Sequence, residues 1–414
     1  MSLFHIKPKI YYGSDSLDIL KTLEMKKVFI VTDKTMVKLG VINNITDILK
    51  ERNVEIAVYS DVNPDPKDEE IIKGMLDFVS FDPDCVIALG GGSPIDACKG
   101  ILYFVKKIKR AMNETEKLTF IAIPTTSGTG SEVTTYSVVT SGNKKIPLSD
   151  VEMLPDIAIL NPVFTETLPP AVIGDTGMDV LTHAIEAYVS ANPNLFSRTL
   201  AIGAIRTVFS DLVKNYENPS LEKERTNMQI ASCMAGVAFS TSSLGINHSV
   251  AHSVGALFHK PHGRLNAVLM PKIIAFNAKN PAARKAYCEI ARALDFIPKT
   301  EQEGVEILIK GIEIRNAKMG IPKRLRDLGI PKDEYFKQID KIINDIENDM
   351  CKYDYIVLVR FKPDGEKIMK DNILPYLKED TILENIKELL SEKVRDLNWE
   401  YDFPGFIYHS ELVN

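Results

Sequence analysis

Short apolar runs rich in Val and Ile alternate with helical patterns over residues 27–160, and this alternation constrains the fold more than any other feature. The runs are KVFIVTD (27–33), VEIAVYS (54–60), CVIALG (85–90), LTFIAIP (118–124) and IAIL (157–160). Helical patterns cover residues 34–53 and 67–80, and another helix opens near residue 93. Strands buried on both faces and separated by helices form a parallel sheet with right-handed crossovers.

The pattern changes after NPVFTETLPP (161–170). A 3.6-residue period then dominates the segments 173–191, 196–216, 221–238, 246–258, 267–278 and 281–293, and a strand-like run returns only at YIVLVRF (355–361). We therefore predict an α/β domain with a parallel, Rossmann-like sheet over residues 1–168. An all-helical domain is predicted over residues 169–414.

Composition excludes several classes of protein. The chain has 414 residues, 45% of them hydrophobic and 26% charged, as is ordinary for a soluble globular protein. Its net charge of −6, without a basic patch, argues against nucleic acid as a partner. No apolar run is long enough for a membrane span and the N-terminus lacks a signal-peptide core, so no membrane association is expected. Five scattered cysteines without a C-x-x-C pair predict free thiols in a reducing cytoplasm.

A run of small residues, Gly90 to Ser93, stands between a predicted strand and a predicted helix. Small residues let a phosphate approach the backbone, where N–H groups and the positive end of a helix can bind it. A tight turn that simply needs glycine is the alternative. The position at the carboxyl end of an internal parallel strand favours ligand binding, although the run is not the G-x-G-x-x-G fingerprint.

Two further strand ends carry polar groups. Asp33 can accept hydrogen bonds from the ribose hydroxyls of NAD, or it can cap the helix that follows, and the sequence alone does not decide between these roles. The segment PTTSGTGSEVT (124–134) is rich in hydroxyl groups and glycine. Its composition suits a loop that donates hydrogen bonds to a diphosphate or an amide, and a polar surface loop is the alternative.

Asp179 and His183 are four residues apart in GDTGMDVLTHAIEAY (174–188), so they share one face of an apolar helix. Buried there, they need partners, which a divalent metal or a direct Asp–His hydrogen bond would supply. Asp175 is predicted to cap the start of this helix.

The stretch GINHSVAHSVGALFHKPHG (245–263) holds four of the chain's seven histidines. His248 and His252 share a helix face, and His262 follows a turn. One aspartate with two or three histidines suits Fe²⁺ or Zn²⁺. The spacing does not decide whether His248 or His252 is a ligand.

Together these motifs resemble those of the iron-containing (group III) alcohol dehydrogenase family. The matches are GGGSPIDACK, PTTSGTGSEVT, GMDVLTHAIEAY and NHSVAHSVGALFHKPHGRLNA, in family order and within a resemblance over residues 5–330. The resemblance implies a dehydroquinate synthase-like fold, in which an NAD-binding α/β domain precedes an all-helical metal-binding and substrate domain. A homodimer or larger homo-oligomer is also implied.

The resemblance assigns roles to individual residues. It implies Fe²⁺, with Zn²⁺ as the alternative, and places His252 near the nicotinamide as the catalytic group. Asp33 matches the acidic residue associated with NAD preference. The implied metal ligands are Asp179, His183, His248 and His262. The implied cofactor-binding residues are Asp33, Gly91, Gly92, Ser93, Asp96, Thr125, Thr126, Thr129, Thr134 and Lys145.

The histidine-rich stretch looks closest to the propanol and ethanolamine-utilisation branch of the family. This implies interconversion of short primary alcohols and aldehydes, such as propanol, ethanol and diols, in the cytoplasm or a bacterial microcompartment. Polyol oxidation like that of glycerol dehydrogenase is the near alternative. A non-redox lyase similar to dehydroquinate synthase, or a binding protein with a structural metal, is more distant. Arg264, Leu265 and the tail after about residue 344 depart from the family pattern.

Overall fold

The computed structural model describes residues 4–111, 118–141 and 144–350. The strand-like run at 355–361 and the rest of the tail lie outside the described residues. The strands are β1 (Lys9–Tyr12), β2 (Lys27–Val31), β3 (Glu55–Tyr59), β4 (Cys85–Gly90), β5 (Thr119–Pro124), β6 (Tyr136–Ser141), β7 (Lys144–Ser149) and β8 (Ile157–Leu160). The helices up to β5 are α1 (Lys34–Lys38), α2 (Asn43–Glu51), α3 (Asp68–Phe81) and α4 (Gly92–Ala111).

A six-stranded sheet of order β1-β8-β5-β4-β2-β3 forms the N-terminal region, and every neighbouring pair in it is parallel. The predicted parallel sheet is therefore confirmed, with all five predicted runs as strands. Its sixth strand, β1, was not predicted, because KIYY is short and lies at an edge where its side chains are half-buried or exposed.

Alternate residues of the central strands bury against opposite layers. In β2, Phe29 and Val31 pack into one apolar cluster with Ile101 of α4, while Ile30 packs into a second cluster with Ile45 of α2. Successive side chains of a strand point to opposite faces, so helices must cover both faces of the sheet to bury its apolar side chains. This explains why its inner strands read as continuous apolar runs.

Two local predictions were wrong, and one element was missed. The helix predicted over residues 34–53 is divided into α1 and α2, and Gly40 between them has a φ of +69°, which no right-handed helix accommodates. An antiparallel hairpin, β6–β7, was missed. Asp175 does not cap a helix start, because the helix that carries it begins at Pro170, a residue suited to the first helical position.

After β8, every described element of regular structure is helical, as predicted. The α-helices are α5 (Pro170–Val189), α6 (Leu195–Glu217), α7 (Glu222–Ser242), α8 (Ile246–Phe258), α9 (His262–Asn277), α10 (Pro281–Ala293), α11 (Glu301–Lys318), α12 (Lys332–Lys337) and α13 (Ile339–Met350). Within the described ranges, no helix has the length and apolar character needed to cross a membrane. The four described cysteines are buried free thiols.

The chain divides into two compact units. The first comprises Met1–Val180 and Ser210–Ser240, and the second comprises Leu181–Phe209 and Thr241–Asn414. Helix α5 therefore begins in the first unit and ends in the second. The boundary predicted at residues 168/169 stays a prediction.

Candidate metal centre and cofactor loops

Three loops leave neighbouring parallel strands at the same edge of the sheet. Asp33 follows β2, the glycine loop (residues 90–93) ends β4, and the hydroxyl loop (residues 125–134) follows β5. The carboxyl edge of such a sheet is where open α/β folds bind ligands. The glycine loop also leads directly into α4, which begins at Gly92 and offers the positive end of a long helix to an anion.

The glycine loop packs against the hydroxyl loop, most closely at Gly92. The N–H of Thr125 donates to the carbonyl oxygen of Gly90 at 2.9 Å. A Cβ atom added at Gly92 would lie 2.9 Å from Cγ2 of Thr129, and one at Gly91 would lie 3.4 Å from Oγ1 of Thr126. The two loops form a narrow backbone cradle of a kind that suits a diphosphate.

Asp33 caps helix α1. Its Oδ1 accepts hydrogen bonds from the N–H groups of Thr35 at 2.7 Å and Met36 at 3.1 Å. The capping role considered from sequence is therefore confirmed. A carboxylate can cap a helix with one oxygen and contact a ligand with the other, so the ribose-binding role of Asp33 stays a prediction.

Asp96 binds the protein's own backbone and side chains. Its carboxylate accepts from the hydroxyl of Ser131 at 2.7 Å and from the N–H of Val138 at 3.1 Å. These bonds join α4 to the hydroxyl loop and to β6. Asp96 thus holds the loop in place, while direct contact with a cofactor stays a prediction.

Thr134 is bonded to a buried lysine that the sequence analysis did not single out. The ammonium of Lys99 donates to the hydroxyl of Thr134 at 3.1 Å, to its carbonyl oxygen at 2.9 Å and to the carbonyl oxygen of Tyr136 at 2.8 Å. Burial lowers the pKa of Lys99 to about 8. The spacing of Lys99 three residues after Asp96 was the available signal. The side chain of Lys145 lies outside the described residues.

Asp179, His248 and His262 form a compact group of possible metal ligands. Their ligand atoms all lie within 4.8 Å of one another. Asp179 and His248 are buried and His262 is half-buried. Two imidazoles and a carboxylate at this spacing are a donor set that fits Fe²⁺ or Zn²⁺.

Glu186, which the sequence analysis missed, orients His248. Its carboxylate is hydrogen-bonded to Nδ1 of His248 and accepts from the N–H of Asn247 at 2.7 Å. A Cβ atom at Gly245 would lie 2.5 Å from Oε1 of Glu186, so a side chain there would displace this carboxylate. With Nδ1 held, Nε2 is the nitrogen of His248 that would bind a metal. The position of Glu186, seven residues after Asp179, was the available signal.

The rings of His183, His248, His252 and His262 form one cluster. The ring of His183 stacks on that of His248 at a centroid distance of 4.3 Å, and His252 stacks on His262 at 4.8 Å. The rings of His248 and His262 are 5.4 Å apart. The side-chain nitrogen of Asn266 lies 3.0 Å from Nε2 of His262. The roles of His183 as a fourth ligand and of His252 in catalysis stay predictions.

Two family models match the chain. The model "Iron-containing alcohol dehydrogenase" matches residues 7–162, and "Fe-containing alcohol dehydrogenase family, C-terminal" matches residues 173–354. A solved structure of the iron-containing alcohol dehydrogenase from Thermococcus thioreducens superposes with a TM-score of 0.76 at 32% identity, covering 83% of this chain and 92% of that one. Fold and sequence therefore point to the same family.

Named relatives of the same family are similar to most of this chain. The NADPH-dependent butanol dehydrogenase of Clostridium saccharobutylicum is 39% identical over 85% of this chain and 93% of its own length. The 1-propanol dehydrogenase PduQ of Citrobacter freundii is 38% identical over 83% of this chain and 92% of its own length. Aldehyde-alcohol dehydrogenase 2 of Entamoeba histolytica is 41% identical over 75% of this chain, which spans only 39% of that longer protein. The chain belongs to the iron-containing alcohol dehydrogenase family.

Proposed function

We propose that this protein is a metal-dependent, NAD-linked alcohol dehydrogenase and aldehyde reductase that acts on short primary alcohols and aldehydes. The group formed by Asp179, His248 and His262 carries the proposal, because its ligand atoms lie within 4.8 Å of one another, close enough to share one divalent ion. Fe²⁺ is the proposed ion and Zn²⁺ the alternative. We also propose that His183, stacked on His248, completes the ligand set.

The chain's own residues orient the reactants and handle the proton. When bound, the divalent ion would act as a Lewis acid on the substrate oxygen, and the nicotinamide would exchange a hydride with the substrate carbon. Glu186 keeps His248 in the orientation that presents Nε2. His252, half-buried beside His262, accepts the hydroxyl proton in the oxidation direction and returns it in the reduction direction.

The cofactor is proposed to lie along the carboxyl edge of the sheet. The backbone of the glycine loop and the start of α4 bind the diphosphate, and the hydroxyl loop contributes Thr125, Thr126 and Thr129. Asp33 at the end of β2 would bind the ribose hydroxyls and repel a 2′-phosphate, which favours NAD over NADP. The named butanol dehydrogenase relative uses NADPH, so the preference needs direct measurement.

The substrate class follows the named relatives. Butanol and 1-propanol dehydrogenases are both similar to this chain over most of its length, so three- and four-carbon primary alcohols are the first substrates to test. We propose a cytoplasmic homodimer or larger homo-oligomer, with residence in a bacterial microcompartment as an alternative that rests on the likeness to PduQ.

A substrate panel tests the proposal. Metal-free protein is reconstituted with Fe²⁺ under argon or with Zn²⁺, and NADH or NADPH is followed with ethanol, propanol, butanol, 1,3-propanediol, glycerol and their aldehydes. Net reduction of NAD⁺ by propanol or butanol is expected. Activity confined to glycerol would favour a polyol dehydrogenase, and no net cofactor reduction with any alcohol would contradict the proposal.

His252→Ala isolates the proton step. Removing the imidazole should lower kcat by about 10²-fold, a typical contribution of general acid–base catalysis. Bound metal per chain should stay as in the wild type, because the proposed ligands are untouched. Loss of metal from this variant would mean that His252 is a ligand instead.

A further inference from the structure

The hydroxyl loop contacts helix α5 closely at Gly128. A Cβ atom added at Gly128 would lie 2.9 Å from Cβ of Thr176 and 3.3 Å from its Cγ2. Close-packed protein interiors leave no room for such an atom, so the loop backbone approaches the helix as closely as glycine permits. This contact lies within the first compact unit.

The side chain of Thr176, which receives the loop, is hydrogen-bonded to its own helix. The hydroxyl of Thr176 donates to the carbonyl oxygen of Val172 at 2.8 Å, which fixes the Thr176 side chain. Asp179 follows three residues later and is therefore a neighbour on the same helical surface. The residue that contacts the loop and the proposed metal ligand Asp179 therefore lie on one continuous stretch of α5.

Further packing contacts hold both the hydroxyl loop and helix α5 in place. The loop is held at its next residues: a Cβ atom at Gly130 would lie 2.7 Å from Cα of Gly236 on α7, and the hydroxyl of Ser131 donates to Asp96 at 2.7 Å. The helix is held at Gly177, where any Cβ atom would clash with Leu212 of α6. An enlarged contact between Gly128 and Thr176 would therefore displace the loop relative to Asp179.

We propose that Thr176, through its contact with Gly128, is a positioning residue that sets the separation between the hydroxyl loop and Asp179, and so the distance over which hydride is transferred. This inference rests on the proposed function, because it takes the loop as the cofactor's support and Asp179 as a metal ligand. Misplacement of reacting groups by about 1 Å can cost on the order of 10² in rate. The contact therefore bears on kcat more than on binding.

Gly128→Ala is the first test. We expect kcat with propanol to fall by about 10-fold or more, and the deuterium isotope effect on hydride transfer to rise. The Kd for NADH, from fluorescence titration, should rise by a smaller factor than kcat falls, and the metal content per chain should stay near the wild-type value. Crystal structures of the zinc-loaded wild type and variant should show a larger separation between the loop backbone and the Asp179 carboxylate.

Second substitutions at Thr176 distinguish this contact from general damage. Thr176→Gly leaves only its Cα, 3.4 Å from the new methyl group, so Gly128→Ala/Thr176→Gly should recover most of kcat and the wild-type isotope effect. Thr176→Ala keeps the Cβ that clashes at 2.9 Å, so Gly128→Ala/Thr176→Ala should stay slow. Recovery of kcat only when Cβ of Thr176 is removed would show that positions 128 and 176 are directly coupled.

Gly74→Ala is the matched control, because its new Cβ atom would lie 2.5 Å from Cδ1 of Ile101 and 2.9 Å from Cε1 of Tyr59, away from both loops. It should lower the Tm without changing kcat or the isotope effect. An unchanged loop-to-Asp179 separation in Gly128→Ala would overturn the inference, as would equal recovery by the two Thr176 substitutions. A wild type that oxidises no alcohol would instead contradict the proposed function, and the crystallographic test of the separation would still stand.

Discussion

The cofactor loops and the histidine cluster are positioned by opposite means. In the loops, close packing depends on glycine, which has no side chain. Gly92 faces Thr129 and Gly128 faces Thr176 with no space for a Cβ atom. In the histidine cluster, placement depends on side chains that are present, such as the Glu186 carboxylate that holds His248. Adding atoms should therefore damage the first region, and removing hydrogen-bonding groups should damage the second.

The difference follows from what each region must bind. A diphosphate is large and is recognised by backbone N–H groups, so side chains near it must be small. A metal ion is small and demands a few donor atoms in fixed directions, which hydrogen bonds to the ligands provide. Four substitutions test this contrast, and they are described in order of decreasing expected effect.

Asp179→Asn should have the largest effect. The amide replaces a charged ligand by a weak neutral one, so bound metal should be lost and kcat/KM should fall by roughly 10³-fold or more. Metal per chain by mass spectrometry and NADH formation from propanol measure both losses. Asp211→Asn, at another buried carboxylate that is bonded to Asn227, is the control and should retain metal. Full metal content in Asp179→Asn would remove Asp179 from the ligand set.

Glu186→Gln should weaken the Kd for Zn²⁺ by about 10- to 100-fold, as is typical when a group that orients a ligand is lost. The amide has one acceptor oxygen for two donors, the His248 ring and the N–H of Asn247. Competition with a chromogenic chelator measures the Kd. Glu289→Gln, which alters a carboxylate bonded to Tyr188, should leave it unchanged. Equal Zn²⁺ affinity in Glu186→Gln and the wild type would show that charge at this position is dispensable.

Gly92→Ala should weaken the Kd for NADH by about 10-fold, since overpacking of a close contact costs about 1–3 kcal/mol. The new methyl group would lie 2.9 Å from Cγ2 of Thr129. Thr129→Ser removes that carbon and leaves Cβ and Oγ1 at 3.6 Å, so the double variant should regain affinity. If the double variant binds NADH as weakly as Gly92→Ala, the methyl group obstructs the cofactor itself rather than the neighbouring loop.

Glu132→Gln should change the pH dependence of stability rather than affinity. Burial raises the pKa of Glu132 to about 7 from an ordinary 4.5. Between these values the folded state holds a proton that the unfolded state has released, so the free energy of unfolding should fall by about 1 kcal/mol per pH unit as the pH rises. Glutamine does not titrate, and this decline should vanish. Urea denaturation at pH 5, 6, 7 and 8 compares the two proteins, and parallel curves would contradict the shift.

Much of the fold could be predicted because its determinants are local. Apolar runs such as CVIALG need burial on both faces, which identifies them as strands of a covered parallel sheet. The loops that follow such strands could then be placed together, because parallel strands share a carboxyl edge. The histidine spacing likewise placed His248 and His252 on one helix. The break between α1 and α2 was not predicted, because the residues around Gly40 follow a helical pattern while Gly40 itself adopts a positive φ that ends the helix.

The class of the fold, the loops at the strand ends and the residue types suited to a metal could be predicted without a structure. Periodicity and ligand chemistry are properties of neighbouring residues, so they can be read along the chain. The tertiary structure alone decided that Glu186 holds His248, that Lys99 binds Thr134, and that Gly128 meets Thr176. Each of these pairs joins residues about 35 or more positions apart, and their approach depends on how whole helices and strands pack.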